Sequence, residues 1–156
     1  MIVNNFLNLN EIATKNLEAI LEDASKVKKA ALKDIVLNEH YSSCLNNTIT
    51  GLLFEKLSTR TRLSFEAAVL KLGGQVSNIR KDEIHLGQGE TLQDTSAMFS
   101  LFLDVLVLRL YEEEKLYEFA RNSKIPIING LTNESHPCQV LTAVSYTHLT
   151  LPTNTV

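Results

Sequence analysis

The run Asp104 to Leu110, DVLVLRL, carries Val105, Leu106, Val107 and Leu108 in unbroken succession. A strand with one face in water alternates polar and apolar side chains. A run without that alternation reads as a strand covered on both faces, as in a parallel sheet between helices. The rest of the chain fits that frame. Thr48 to Phe54, Gln75 to Ile79 and Pro126 to Asn129 read as further short strands. Helical periodicity fills the gaps: Ala13, Leu17, Ile20, Leu21 and Ala24 predict an amphipathic helix over residues 10–28, opened by Asn8 or Asn10. Alternation of strand and helix predicts an α/β fold, an open parallel sheet of about four strands flanked by helices.

Local signals refine the helices. The segment from about Arg60 to Leu72 is apolar nearly all round and is expected to be buried, with Arg62 and Glu66 able to pair and Gly73-Gly74 ending it. Thr91, with Asp94 three residues on, predicts a capped helix whose buried face is Ala97, Met98, Leu101 and Phe102. Glu112 to Asn122 reads as a helix with an acidic first turn. Residues 38–47 read as a polar turn, residues 80–90 as a charged loop, residues 130–135 as a loop, and His136-Pro137 as a helix start.

The chain has 156 residues, enough for one domain with its own core, and a net charge of −3. That balance gives no global basic field for nucleic acid or anionic membrane, so any anion site is local. Cys44 and Cys138 are far apart and read as reduced thiols of a cytoplasmic protein, because MIVNNFLNLNEI resembles neither a secretory nor a transit leader. His40 and Cys44 stand four residues apart without further ligand candidates, so no metal site is read there.

In an open parallel sheet, ligands lie at the carboxyl ends of the strands. Three polar clusters fall at such ends. Ser58-Thr59-Arg60-Thr61-Arg62 follows the first strand, Arg109 closes the third, and His136 and Gln139 follow the fourth. Strand, polar turn and helix place backbone N–H groups and a positive helix end at an anion. Hydroxyls and guanidinium groups there suit a phosphoryl group. Arg109 and His136 could donate to a carbonyl oxygen gaining charge, and the Gln139 amide oxygen could accept from an NH2 group. The chain lacks GxxxxGK[ST] and GxGxxG, and no nucleophile–base arrangement is legible. The kit therefore offers positioning and electrostatic stabilisation. By residue chemistry alone, STRTR also reads as a solvated polar turn, Arg109 as a surface ion pair, and His136 as a capping or core histidine.

In their order and spacing, FEKLSTRTRLSFE, HLGQGETLQDT, VLRLY and PIINGLTNESHPCQVL resemble the amino-terminal half of ornithine carbamoyltransferases. The resemblance runs from about residue 1 to Leu141. STRTR and HPxQ mark the wider carbamoyltransferase family, including its aspartate branch; FEK, IHLGQGET and INGLTNESHPCQ favour the ornithine branch. The resemblance implies a carbamoyl-phosphate-binding domain at 1–141. Ser58, Thr59, Arg60 and Thr61 would hold the phosphate, and Arg109, His136 and Gln139 the carbamoyl group, with Arg109 and His136 catalytic. It further implies transfer to the Nδ amine of L-ornithine to give L-citrulline and phosphate, no cofactor or metal, and a homotrimeric full-length parent.

The family's second domain, which binds the amino acid, and its HCLP-type motif are absent. Residues 142–156, TAVSYTHLTLPTNTV, contain no Asp, Glu, Lys or Arg. They read as a non-family tail, resembling translated adaptor sequence joined to a truncated gene, and are expected to be poorly packed. Two other readings stay open: a carbamoyltransferase with aspartate, putrescine or an acylated ornithine as acceptor, and a module that binds carbamoyl phosphate without turnover.

Overall fold

The computed structural model describes residues 4–32, 39–84 and 89–150. In chain order these form α1 (Thr14–Leu32), α2 (Glu39–Ser42), β1 (Ile49–Phe54), α3 (Thr59–Lys71), β2 (Gln75–Arg80), α4 (Leu92–Phe102), β3 (Val105–Arg109), α5 (Glu113–Asn122), β4 (Ile127–Leu131) and α6 (Pro137–Thr150). The short α2 lies inside the segment read as a turn, and most of the middle of the 80–90 loop, residues 85–88, lies outside the described residues.

The strands form one parallel sheet in the order β2–β1–β3–β4. The chain steps from β1 to one edge and later from β3 to the other. With right-handed crossovers, α3 and α5 then lie on opposite faces, and a crevice opens where β1 and β3 part company. Contacts agree: α3 packs on β2, while α4 packs on α5 and α5 on β4. Leu53, Leu106 and Leu108 share a cluster with Phe99, Leu116 and Phe119, and Leu52 and Val107, also buried, alternate to the other face. Each such side chain contributes about 1.5–3 kcal/mol by leaving water. The unalternating strand β3 is thus covered twice, as read.

The edge strand β4 is partly shielded by the amino-terminal segment. Phe6 bridges Ile128 in parallel, its N–H donating to the Ile127 carbonyl at 2.8 Å, and the Asn5 amide oxygen accepts from the Ile127 N–H at 2.9 Å. Such covering removes free edge groups that would pair with another chain.

Two helix faces differ from expectation. In α3 only Val69 is buried, while Leu63 and Leu70 are 52% and 62% exposed. Because β2 is an edge strand, α3 covers it from one side only, and its outer leucines meet solvent. In α4 the buried residues are Thr95, Ser96 and Phe99; Leu101 and Phe102 are 77% and 67% exposed. Small hydroxyl side chains let α4 approach α5, and burial is tolerated because each hydroxyl donates to a carbonyl: Thr95 to Thr91 at 3.0 Å and Ser96 to Phe119 at 3.0 Å.

The ends of α3 and the start of α4 follow the sequence signals, whereas α1 runs from Thr14 to Leu32 and is not opened by Asn8 or Asn10 as expected. Thr91 accepts from the Asp94 N–H at 3.1 Å. Gly73, at φ +88°, closes α3: its N–H donates to Leu70 and that of Gly74 to Val69, the paired bonds of a Schellman turn. Arg62 and Glu66 pair loosely at 3.9 Å. Helix α6 passes Leu141 without a break and continues to Thr150, with Val144 and Ser145 half-buried; residues 151–156 lie outside the described residues. Among the described residues no helix is long and apolar enough to cross a membrane.

Candidate functional site

All strands being parallel, the loops after β1, β3 and β4 rise from one edge of the sheet. Ser58, Thr59, Arg60, Thr61, Arg109, His136 and Gln139 line one cavity of about 1150 Å³ there. These seven residues singled out from sequence reach it, whereas Arg62 of the same motif does not.

The start of α3 leaves backbone donors without a side-chain cap. Ser58 stands at the cap position in extended backbone, φ −157° and ψ 98°, but its hydroxyl makes no capping bond. The first-turn amides, at Thr59, Arg60 and Thr61, have no intrahelical acceptor by geometry. Helix α4 spends the corresponding group on its own Thr91. Helical periodicity then sorts the side chains. Thr61, Ser64, Phe65 and Ala68 line the cavity, whereas Arg62 is turned away, paired with Glu66 and lining a second cavity of about 790 Å³. The expectation that both arginines of STRTR share one anion is therefore corrected: Arg60 lines the first cavity and Arg62 does not, because two residues along a helix amount to about 200° of rotation.

Arg109 ends β3. Its Nη1 donates to the Thr61 hydroxyl at 3.1 Å, joining the β3 end to α3. Its Nε is buried and has no hydrogen-bond partner among the described residues. A register shift between Leu108 and Arg109 sets Arg109 opposite Leu131, leaving Gly130 as an extra residue on β4. A Cβ at Gly130 would stand 3.2 Å from the Leu108 carbonyl oxygen, so a side chain there would crowd the irregularity that re-aims the strand end.

The loop carrying His136 is tied from below. Asn129 is fully buried; its amide donates to the Leu7 carbonyl and the Ser135 hydroxyl, both at 2.9 Å, and its oxygen accepts from the Leu131 N–H at 2.9 Å. The Thr132 hydroxyl accepts from the N–H groups of Glu134 and Ser135 at 3.2 and 3.0 Å. This knot sets His136 immediately before α6. The His136 Nδ1 is buried without a hydrogen-bond partner among the described residues. Burial, and then the charge of Arg109, hold its imidazole below the ordinary 6.5. Gln139 follows in the first turn of α6.

Sequence reasoning passed over Ser64, Phe65, Leu131, Cys138 and Thr142, which also line the cavity. Their apolar or small character gave no chemical signal; helical spacing from Thr61 and from His136 would have found most of them. Cys138 is held as a thiol, its pKa pushed up to about 11 by burial, with Sγ 3.5 Å from the Asn129 carbonyl oxygen. It is therefore poorly suited to act as a nucleophile.

Among the described residues, two buried polar atoms lack partners, Arg109 Nε and His136 Nδ1, and both belong to residues that line the cavity with Ser58, Thr59, Arg60 and Thr61, so hydrogen-bonding capacity there is unmet.

Comparison with known proteins agrees in kind. The family model described as aspartate/ornithine carbamoyltransferase, carbamoyl-P binding domain, matches residues 4–148, past Leu141, where the sequence reading ended the resemblance. An ornithine carbamoyltransferase of Methanopyrus kandleri is 41% identical over 139 residues, covering 89% of this chain and 43% of that protein. A mitochondrial ornithine carbamoyltransferase from Coccidioides immitis superposes with a TM-score of 0.90 at 28% identity, covering 97% of this chain and 48% of its own. An aspartate transcarbamoylase from Trypanosoma cruzi, in complex with aspartate and phosphate, gives a TM-score of 0.84 at 28% identity, covering 96% and 45%. The chain thus spans less than half the length of these relatives.

Proposed function

We propose, for a chain that belongs to the aspartate/ornithine carbamoyltransferase family through its carbamoyl-phosphate-binding domain, that the cavity takes carbamoyl phosphate. In the intact protein the carbamoyl group would pass to the Nδ amine of L-ornithine, giving L-citrulline and phosphate. The observation that carries this is the pair of orphaned buried atoms, Arg109 Nε and His136 Nδ1, beside the open start of α3.

In this reading the phosphoryl oxygens take the amides of Thr59 to Thr61, the hydroxyls of Ser58, Thr59 and Thr61, and the guanidinium of Arg60. The carbonyl oxygen lies toward Arg109 and His136, and the carbamoyl NH2 donates to the Gln139 amide oxygen. The amine attacks the carbonyl carbon, and negative charge grows on that oxygen. Arg109 stabilises it, and a neutral His136 serves as a hydrogen-bond donor without needing to ionise. The tetrahedral species collapses as the C–O bond to phosphate breaks, and the leaving phosphate takes up the proton that the attacking amine gives up. No step draws on a metal or an organic cofactor.

Ornithine as acceptor is supported by the names of the relatives and by FEK and INGLTNESHPCQ around the site. The aspartate-bound structural neighbour keeps an aspartate acceptor as the second reading, since the fold is shared. The ornithine would be held by a domain beyond these residues, and the intact protein would be a cytoplasmic homotrimer.

Calorimetry with carbamoyl phosphate tests the site. Arg60→Ala, which removes the main charge-assisted contact, is expected to weaken binding at least about a hundredfold. Unchanged affinity would refute the assignment.

A further inference from the structure

The loops at the carboxyl edge of the sheet are fastened to one another in the same order as the strands. After β2, Lys81 pairs with Glu55 at 3.0 Å. After β1, the Glu55 Oε2 accepts from the Tyr111 N–H at 3.0 Å, and the Glu55 N–H donates to the Arg109 carbonyl at 2.8 Å. After β3, the Tyr111 carbonyl accepts from the Asn133 N–H at 3.0 Å. Lys56 then closes the chain of links. Its ammonium donates to the Asn133 side-chain oxygen at 2.5 Å and lies 4.7 Å from the centre of the Tyr111 ring. One residue therefore joins the β1–α3 loop to both the β3–α5 and β4–α6 loops.

Lys56 does not line the cavity that holds Arg60, Arg109 and His136, although Leu57 and Ser58, which follow it, do. The carboxyl of Glu55, whose side chain is 4% exposed, feels an upward push from burial. The Tyr111 amide and the Lys81 ammonium outweigh it, so the group stays ionised below its ordinary 4.5.

We propose that Lys56 is a positioning residue: it sets the distance between the amide-bearing start of α3 and the His136 loop, and so fixes the span of the anion site without touching the anion. This rests on the reading of the cavity as an anion site. Holding such groups at a set spacing before the ligand arrives removes an ordering cost from binding.

The test is calorimetry of the 156-residue chain with inorganic phosphate, alongside melting temperatures, for Lys56→Met, Asn133→Ala, the double variant and Lys56→Arg. The positioning role predicts that each of Lys56→Met and Asn133→Ala weakens binding about tenfold while the melting temperature stays within a few degrees. It predicts that the double variant is no weaker than either single one, because both cut the same link. Lys56→Arg, which can still lie over Tyr111 and donate to Asn133, should recover most of the affinity. Unchanged affinity in Lys56→Met overturns the proposal. So do fully additive losses, which would mean that Lys56 meets the anion directly. Arg60→Ala separates the two readings. If it loses phosphate while Lys56→Met does not, only the positioning role falls. If it too binds unchanged, the cavity reading falls, and this one with it.

Discussion

His136 shows how much of a residue's chemistry is set by neighbours far away in sequence. From the sequence it could be a cap, a core residue or a catalytic group, and nothing within a few positions chose among them. The choice depends on Asn129 anchoring its loop to Leu7, and on Arg109 arriving from another strand. Arg62 is the converse case. It stands two residues after Arg60 in the motif, and the helical rotation separates their destinations. The depressed imidazole has a consequence for stability. The native state binds this proton less readily than the unfolded chain, so the group's contribution is fully present above 6.5 and is lost as pH falls through the lowered native value. The ring is only part-buried, so solvent limits the size of the effect. We expect the melting temperature of the native sequence to fall more steeply than that of His136→Gln as pH drops from about 6.5 toward 5. Parallel curves would remove the case for a buried neutral imidazole.

At the scale of elements, strands were easier to read than helix faces. Val105 to Leu108 needed no partner to announce a twice-covered strand, and Thr91 with Asp94 announced a helix start that the structure builds as read. The face of α4 was misread because hydrophobicity was the only guide. Thr95 and Ser96 are buried through hydroxyl bonds to carbonyls, one of them on α5, and a periodicity of apolar residues cannot see those acceptors. The corrected face separates two phenylalanines three positions apart. Phe99 is 5% exposed within the cluster under β1 and β3, and Phe102 is 67% exposed. Phe99→Ala should cost about 3–5 kcal/mol by leaving a cavity in that cluster. Phe102→Ala should cost less than about 1 kcal/mol, within the range of surface changes. Chemical denaturation of the two variants reads the difference directly, and similar midpoints would return α4 to the orientation first expected.

For the whole molecule, strand order is what turns separate loops into one site. The parallel sheet and the residues at its carboxyl edge were legible in the chain, because three of the four strand ends carried their own polar signal. The order β2–β1–β3–β4, and with it the crevice between β1 and β3, was not, since no local residue records which strands become neighbours. Among the described residues, those lining the cavity include Arg60, Arg109 and His136 and no carboxylate. The chain also spans less than half the length of its relatives. Binding and turnover are therefore expected to separate. The chain should take up carbamoyl phosphate, with Arg60→Ala as the negative control, and yet form citrulline at no more than a trace of the rate of an intact ornithine carbamoyltransferase under equal substrate. Loss of acceptor positioning alone removes an advantage worth about 7–11 kcal/mol in well-oriented reactions, far more than the anion site can offset. A colorimetric citrulline assay on the purified chain decides it: turnover near that of an intact enzyme would mean that the acceptor is held by residues within these 156.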